Sequence, residues 1–111
     1  MIYVIALLKA HEGSMGKLIA AFRETLPAVR RKAGCLDYRL ARHLDSGFDG
    51  ELPADPDMLV ILETWSDVAA LEAHLADGEY QDWYRSIYPL VAGAGMQVLE
   101  PVGDAPQSEQ G

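Results

Sequence analysis

From position 2 to position 10 the chain reads IYVIALLKA, apolar at odd and even residues alike and rich in β-branched side chains. Such an uninterrupted run predicts a strand covered on both faces. Gly13-Ser14 then punctuates the chain, and Ser14 is placed to cap a helix. Met15, Leu18, Ile19, Phe22, Leu26 and Val29 follow at helical spacing, giving one apolar stripe. Pro27 falls inside that stripe and predicts a kink over residues 23–27, and Gly34 ends the helix.

Residues 35–44 alternate as a second strand, with Leu36, Tyr38, Leu40 and Leu44 on one face and Asp37, Arg39 and His43 on the other. DSGFDGELPADPD, residues 45–57, is a Gly, Pro and Asp loop that could cover a pocket mouth. Residues 58–65 form a third strand. Ser66 or Asp67 then caps a short helix carrying Val68, Leu71, His74 and Leu75, which Asp77-Gly78 breaks. Tyr80, Trp83, Tyr84, Ile87 and Val91 resume helical spacing until Pro89 and Gly93 stop it. Residues 96–102 form a last strand, and residues 103–111 read as a disordered polar tail.

The order is βαββαβ within one α+β domain, residues 1–102, with the acidic loop at 45–57. A split βαβ arrangement gives a four-stranded antiparallel sheet with its helices on one face. The first and third strands are apolar on both sides, so the uncovered sheet face needs a partner. A homodimer packed sheet to sheet is expected.

Charge narrows the function. The net charge is −8, but seven of the acids lie at 45–57 and near the C-terminus. Without them the remainder is close to neutral, so no basic surface is available to neutralise nucleic-acid phosphates. The only basic run, Arg30-Arg31-Lys32, is placed to complement a helix dipole. No apolar run approaches the roughly 18 residues that span a bilayer, and the N-terminus lacks the pattern of a signal peptide. A cytoplasmic protein without membrane partners is expected. The lone Cys35 has no internal disulfide partner.

Candidate chemistry concentrates between residues 61 and 91. His74 lies on the helix face that meets the sheet, where it is either a core imidazole or a proton acceptor in a pocket. Glu63, an acid among strand apolars, needs a donor and is the natural partner to orient it. Trp65 either plugs the core or offers a stacking surface with its indole N–H aimed at a substrate oxygen. Tyr80, Trp83 and Tyr84, faced by Phe22 from the first helix, are core or pocket wall. Arg39 and Arg85 are surface residues unless one turns inward to a phenolate. His11, His43 and His74 lack metal-ligand spacing, and no glycine pattern docks a nucleotide. Neither metal nor cofactor is expected.

GCLDYRLARH, followed by MLVILETWSDVAALEAHLADGEYQDW, resembles the antibiotic biosynthesis monooxygenase family. The shared features are a Gly-Cys strand start, Glu-x-Trp at a strand end and Ala-x-x-x-His-Leu on the next helix, within a likeness over roughly residues 2–101. The resemblance implies a ferredoxin-like dimeric α+β barrel and oxygenation of phenols or quinols without flavin, haem or metal. Trp65 matches a catalytic tryptophan of a polyketide-quinone-forming branch, whereas that branch's pocket asparagine is Ile61 here. The haem-degrading branch fits poorly, because its pocket asparagine falls at Ala6 and its haem-ligating histidine near Tyr84.

These readings converge on a cofactor-independent monooxygenase that oxidises a phenolic, hydroquinone or polyketide aromatic with molecular oxygen. His74 would be the base. Trp65 is the second catalytic candidate, and Glu63, Phe22, Tyr80, Trp83 and Tyr84 would contact substrate. Two alternatives stand beside it: a non-catalytic small-molecule-binding dimer, and an isomerase using His74 as a proton shuttle.

Overall fold

The computed structural model describes residues 1–103, so the expected tail lies, but for Gly103, outside the described residues. Four strands, β1 (Ile2–Ala10), β2 (Cys35–Arg42), β3 (Met58–Trp65) and β4 (Val91–Leu99), form one antiparallel sheet in the order β2-β3-β1-β4. The helices α1 (Met15–Arg30), α2 (Val68–Ala76) and α3 (Gly78–Ser86) supply the other layer. This is the expected ferredoxin-like α+β fold.

Alternation along the central strands divides the sheet. Val4, Leu8, Leu59, Ile61 and Trp65 are buried on the face that meets Leu18, Phe22 and Val29 of α1 and Leu71 of α2. Burying a large apolar side chain contributes about 1.5–3 kcal/mol, so this layer contact is the principal source of stability. The opposite face leaves Tyr3, Leu7 and Leu62 exposed, as the two-sided pattern predicted.

Local chemistry modifies several sequence expectations. Ser14 sits at the start of α1 but makes no side-chain capping bond; only its carbonyl accepts, from the Leu18 N–H at 3.0 Å. The helix continues through Pro27 to Arg30, because a proline so near the end removes a single intrahelical bond. Asp67 caps α2 by accepting from the Ala70 N–H at 2.8 Å, and Asp77 caps α3.

Two strands depart further. β2 stops at Arg42, and its ladder slips between Cys35 and Asp37, which leaves Leu36 as an extra residue. The slip turns Leu36 outward while Tyr38 is fully buried, so the expected common face is broken there. The last strand starts at Val91 instead of 96 and ends at Leu99 instead of 102. A short 3-10 turn, Tyr88–Leu90, ends the helical region, and Val91 already pairs with Ala10. Val91-Ala92-Gly93-Ala94-Gly95 has little strand propensity of its own; the β1 ladder makes it a strand.

Candidate active site

Between the sheet and α2–α3 lies a cavity of about 550 Å³, a size suited to a small-molecule ligand. Ala6, Leu8, Ile61 and Glu63 form its floor on β1 and β3. Leu71 and His74 from α2, and Tyr80 and Tyr84 from α3, form the opposite wall. Phe22 enters from α1, and Ala94 to Met96 of β4 line one side. The strand period places Ile61 and Glu63 on one face, and the helical turn from Leu71 to His74 brings the imidazole over it.

Glu63 is buried, and one carboxylate oxygen accepts from the Trp65 indole N–H at 2.9 Å. Burial pushes its carboxyl up to about 7, with the Trp65 bond acting in the opposite direction. His74 is also buried, packed between Trp65, with ring centroids 4.9 Å apart, and Tyr80, at 4.1 Å. Burial pulls its imidazole down to about 4; Lys32 adds to that effect and Asp77 opposes it. Burial pushes the Tyr80 phenol up to about 12. Tyr38 is buried deeper, and burial pushes its phenol strongly up, so that ionisation is disfavoured. Tyr80 also bears on that ionisation, yet the two phenols fall short of hydrogen-bond geometry, leaving the Tyr38 hydroxyl without a partner among the described residues.

The partner of His74 is Lys32. Its ammonium lies 2.8 Å from His74 Nδ1, pairs with Asp77 at 2.9 Å and sits 4.8 Å from the centre of the Tyr80 ring. Lys32 belongs to the basic run just beyond α1, and 42 residues separate it from His74. The run itself was visible in the sequence, but no spacing rule connects it to His74.

Of the expected site residues, Phe22, Glu63, His74, Tyr80 and Tyr84 line the cavity together. Trp65 and Trp83 stand behind it. Trp65 is fully buried and directs its N–H to Glu63, so its ring backs His74 instead of facing a ligand. Trp83 packs edge-on against Phe22 at 4.8 Å and stacks on Tyr80 at 5.5 Å. The expected bond from Glu63 to His74 is replaced by two separate pairs, Glu63 with Trp65 and Lys32 with His74. Arg85 reaches the cavity rim and pairs with Asp82. Arg39 pairs with Asp37 at 2.8 Å, away from the cavity. None of residues 45–57 lines the cavity; that loop is tied to β1 through Lys9 and Asp55.

Among the described residues, no three His, Cys, Asp or Glu are grouped to hold a metal ion, and no helix is long and apolar enough to cross a membrane.

The fold and site thus define a small two-layer α+β domain with an aromatic cavity between sheet and helices and Glu63-x-Trp65 at the end of a central strand. The chain belongs to the antibiotic biosynthesis monooxygenase family, whose pattern matches residues 1–86. It is 26% identical over 103 residues to the Escherichia coli protein named "Probable quinol monooxygenase YgiN", a match covering 91% of this chain and 98% of that one. Among solved structures, SO0527 from Shewanella oneidensis superposes with a TM-score of 0.71 at 29% identity, covering 89% of this chain and 92% of that one. SnoaB, a cofactor-independent oxygenase from Streptomyces nogalater, shares the fold with a TM-score of 0.73 at 15% identity, covering 95% and 96% of the two chains.

Proposed function

We propose that this protein is a cofactor-independent monooxygenase that oxidises an electron-rich phenol, hydroquinone or polyketide aromatic with O₂. The carrying observation is the buried Glu63 carboxyl, held near 7 at the floor of an aromatic-walled cavity. A base works best when its proton affinity lies close to the operating pH, and this carboxyl meets that condition. The base role therefore moves from His74 to Glu63. An imidazole at about 4 is neutral at physiological pH and a poor proton acceptor; His74 instead offers a polar contact for the substrate oxygen. Trp65 positions Glu63 from behind, while Tyr80, Tyr84 and Phe22 hold the ring.

The chemistry balances without an external reductant. Removing a phenolic proton gives an anion that can pass an electron to O₂, and the two radicals combine at a ring carbon. Loss of water from the resulting peroxide completes the reaction: a hydroquinone and O₂ yield a hydroxyquinone and water. The protein supplies the base, holds the anion and keeps bulk water away. The reading includes a homodimer, since exposed Tyr3, Leu7 and Leu62 form an apolar sheet face and β4 is exposed along most of its length.

An oxygen electrode with a panel of hydroquinones and hydroxylated polycyclic aromatics tests the proposal. One O₂ consumed per product, without added metal or flavin, is expected. Ligand-induced stabilisation with no oxygen uptake would point to the binding module. Substrate rearrangement with no oxygen uptake would favour the isomerase.

A further inference from the structure

Lys32 bonds His74 and Asp77 and lies over the Tyr80 ring, and no step above uses it. An ammonium is a donor with no acceptor lone pair. Its ion pair with Asp77, at 2.9 Å, holds it in place while it meets His74 Nδ1 at 2.8 Å. Nδ1 must then be the accepting nitrogen, which puts the ring proton on Nε2. Nε2 makes no hydrogen bond among the described residues, and His74 lines the cavity. We infer that Lys32 is a positioning residue that fixes His74 as an Nε2–H donor into the cavity, so that the site selects ligands whose oxygen carries negative charge.

This rests on the oxygenase reading for its meaning in turnover, but its structural content is independent. The same contact disfavours a second proton on His74, because Nδ1 is engaged by a cation. His74 therefore remains a neutral donor backed by the positive charge of Lys32. When Glu63 takes a phenolic proton it becomes neutral, and the negative charge moves to the ligand oxygen. A donor strengthened from behind by an ammonium favours that exchange. Asp77, Tyr80 and Cys35 also lie in the surroundings of Lys32. Asp77 orients the ammonium and partly offsets its charge, and the Tyr80 ring packs against it.

Nitrogen NMR on protein labelled in the histidine ring reads the tautomer in the unmodified dimer, without any variant. His74 should be protonated at Nε2 alone; a proton on Nδ1 would overturn the inference. 4-Nitrophenol supplies a second readout, since its visible band separates phenol from phenolate. Bound to the wild-type protein it should be more ionised than bound to Lys32→Met at the same pH, by a shift of at least about one pH unit, a tenfold change. Lys32→Arg should recover most of that shift. Equal ionisation in wild type and a folded Lys32→Met would overturn the inference. Both expected results without oxygen uptake from any quinol would leave this inference standing and remove the oxygenase reading.

Discussion

Glu63 and His74 are shifted in opposite directions by the same dry surroundings, and their effects on stability oppose each other. The raised Glu63 carboxyl contributes stability below its ordinary value of 4.5 that is lost as pH rises through about 7. The lowered His74 imidazole contributes stability above 6.5 that is lost as pH falls through about 4. Each shift corresponds to roughly 3 kcal/mol as an order of magnitude, so the two slopes largely cancel between 4.5 and 6.5. Removing either group should expose the other. Relative to wild type, Glu63→Gln should become more stable as pH rises through that window, and His74→Gln less stable, as read from urea midpoints. In turnover, Glu63→Gln should lower kcat by about 10²-fold or more, the usual scale for losing a general base. The wild-type rate should rise through pH 7 as Glu63 ionises, and a pH profile without that rise would remove Glu63 from the base role. The residue types of this site were legible in the sequence because an acid and an imidazole on apolar elements demand partners. Their partners were not: Trp65 is two residues from Glu63, but Lys32 meets His74 only through the fold.

At the scale of elements, the junction of α1, β2 and α2 depends on Gly34. Its φ of +82° suits glycine, its carbonyl accepts from the Ser66 N–H at 2.8 Å, and an added Cβ would lie 2.5 Å from that of Ala70. Gly34→Ala should therefore cost more than the roughly 1 kcal/mol of the backbone conformation alone, lowering Tm by several degrees. An unchanged melting curve would contradict this account. Although α1 stops at Arg30, short of the expected end at Gly34, periodicity gave β1, β3 and the start of α1 nearly to the residue, because each carries a long apolar pattern. It failed at β2, where a one-residue slip reverses Leu36, and at β4, whose small residues carry no strand signal until β1 pairs with them.

For the whole molecule, the apolar sheet face predicts association. Light scattering should give a dimer at micromolar concentration, and Leu62→Lys should shift it towards monomer while leaving the cavity residues in place. A wild-type monomer would contradict the dimer. The element order made the four-stranded sheet with its layer of helices legible. The cavity was less legible, because it is a space between layers and no single segment encodes its shape.

The wall formed by Ala94 and Met96 lies on β4, an edge strand joined to the sheet through its ladder with β1. Its backbone bonds are indifferent to which side chains it presents. Glu63 on the floor and His74 on the facing wall are therefore held by one set of elements, while the width of the chamber is set by another that contributes little to the core. Such a division makes ligand preference evolvable: a bulkier residue at position 94 would shorten the accepted molecule without disturbing Glu63 or His74. Divergent substrate choice can accumulate on this edge at small cost to folding, while the chemistry at the floor stays the same.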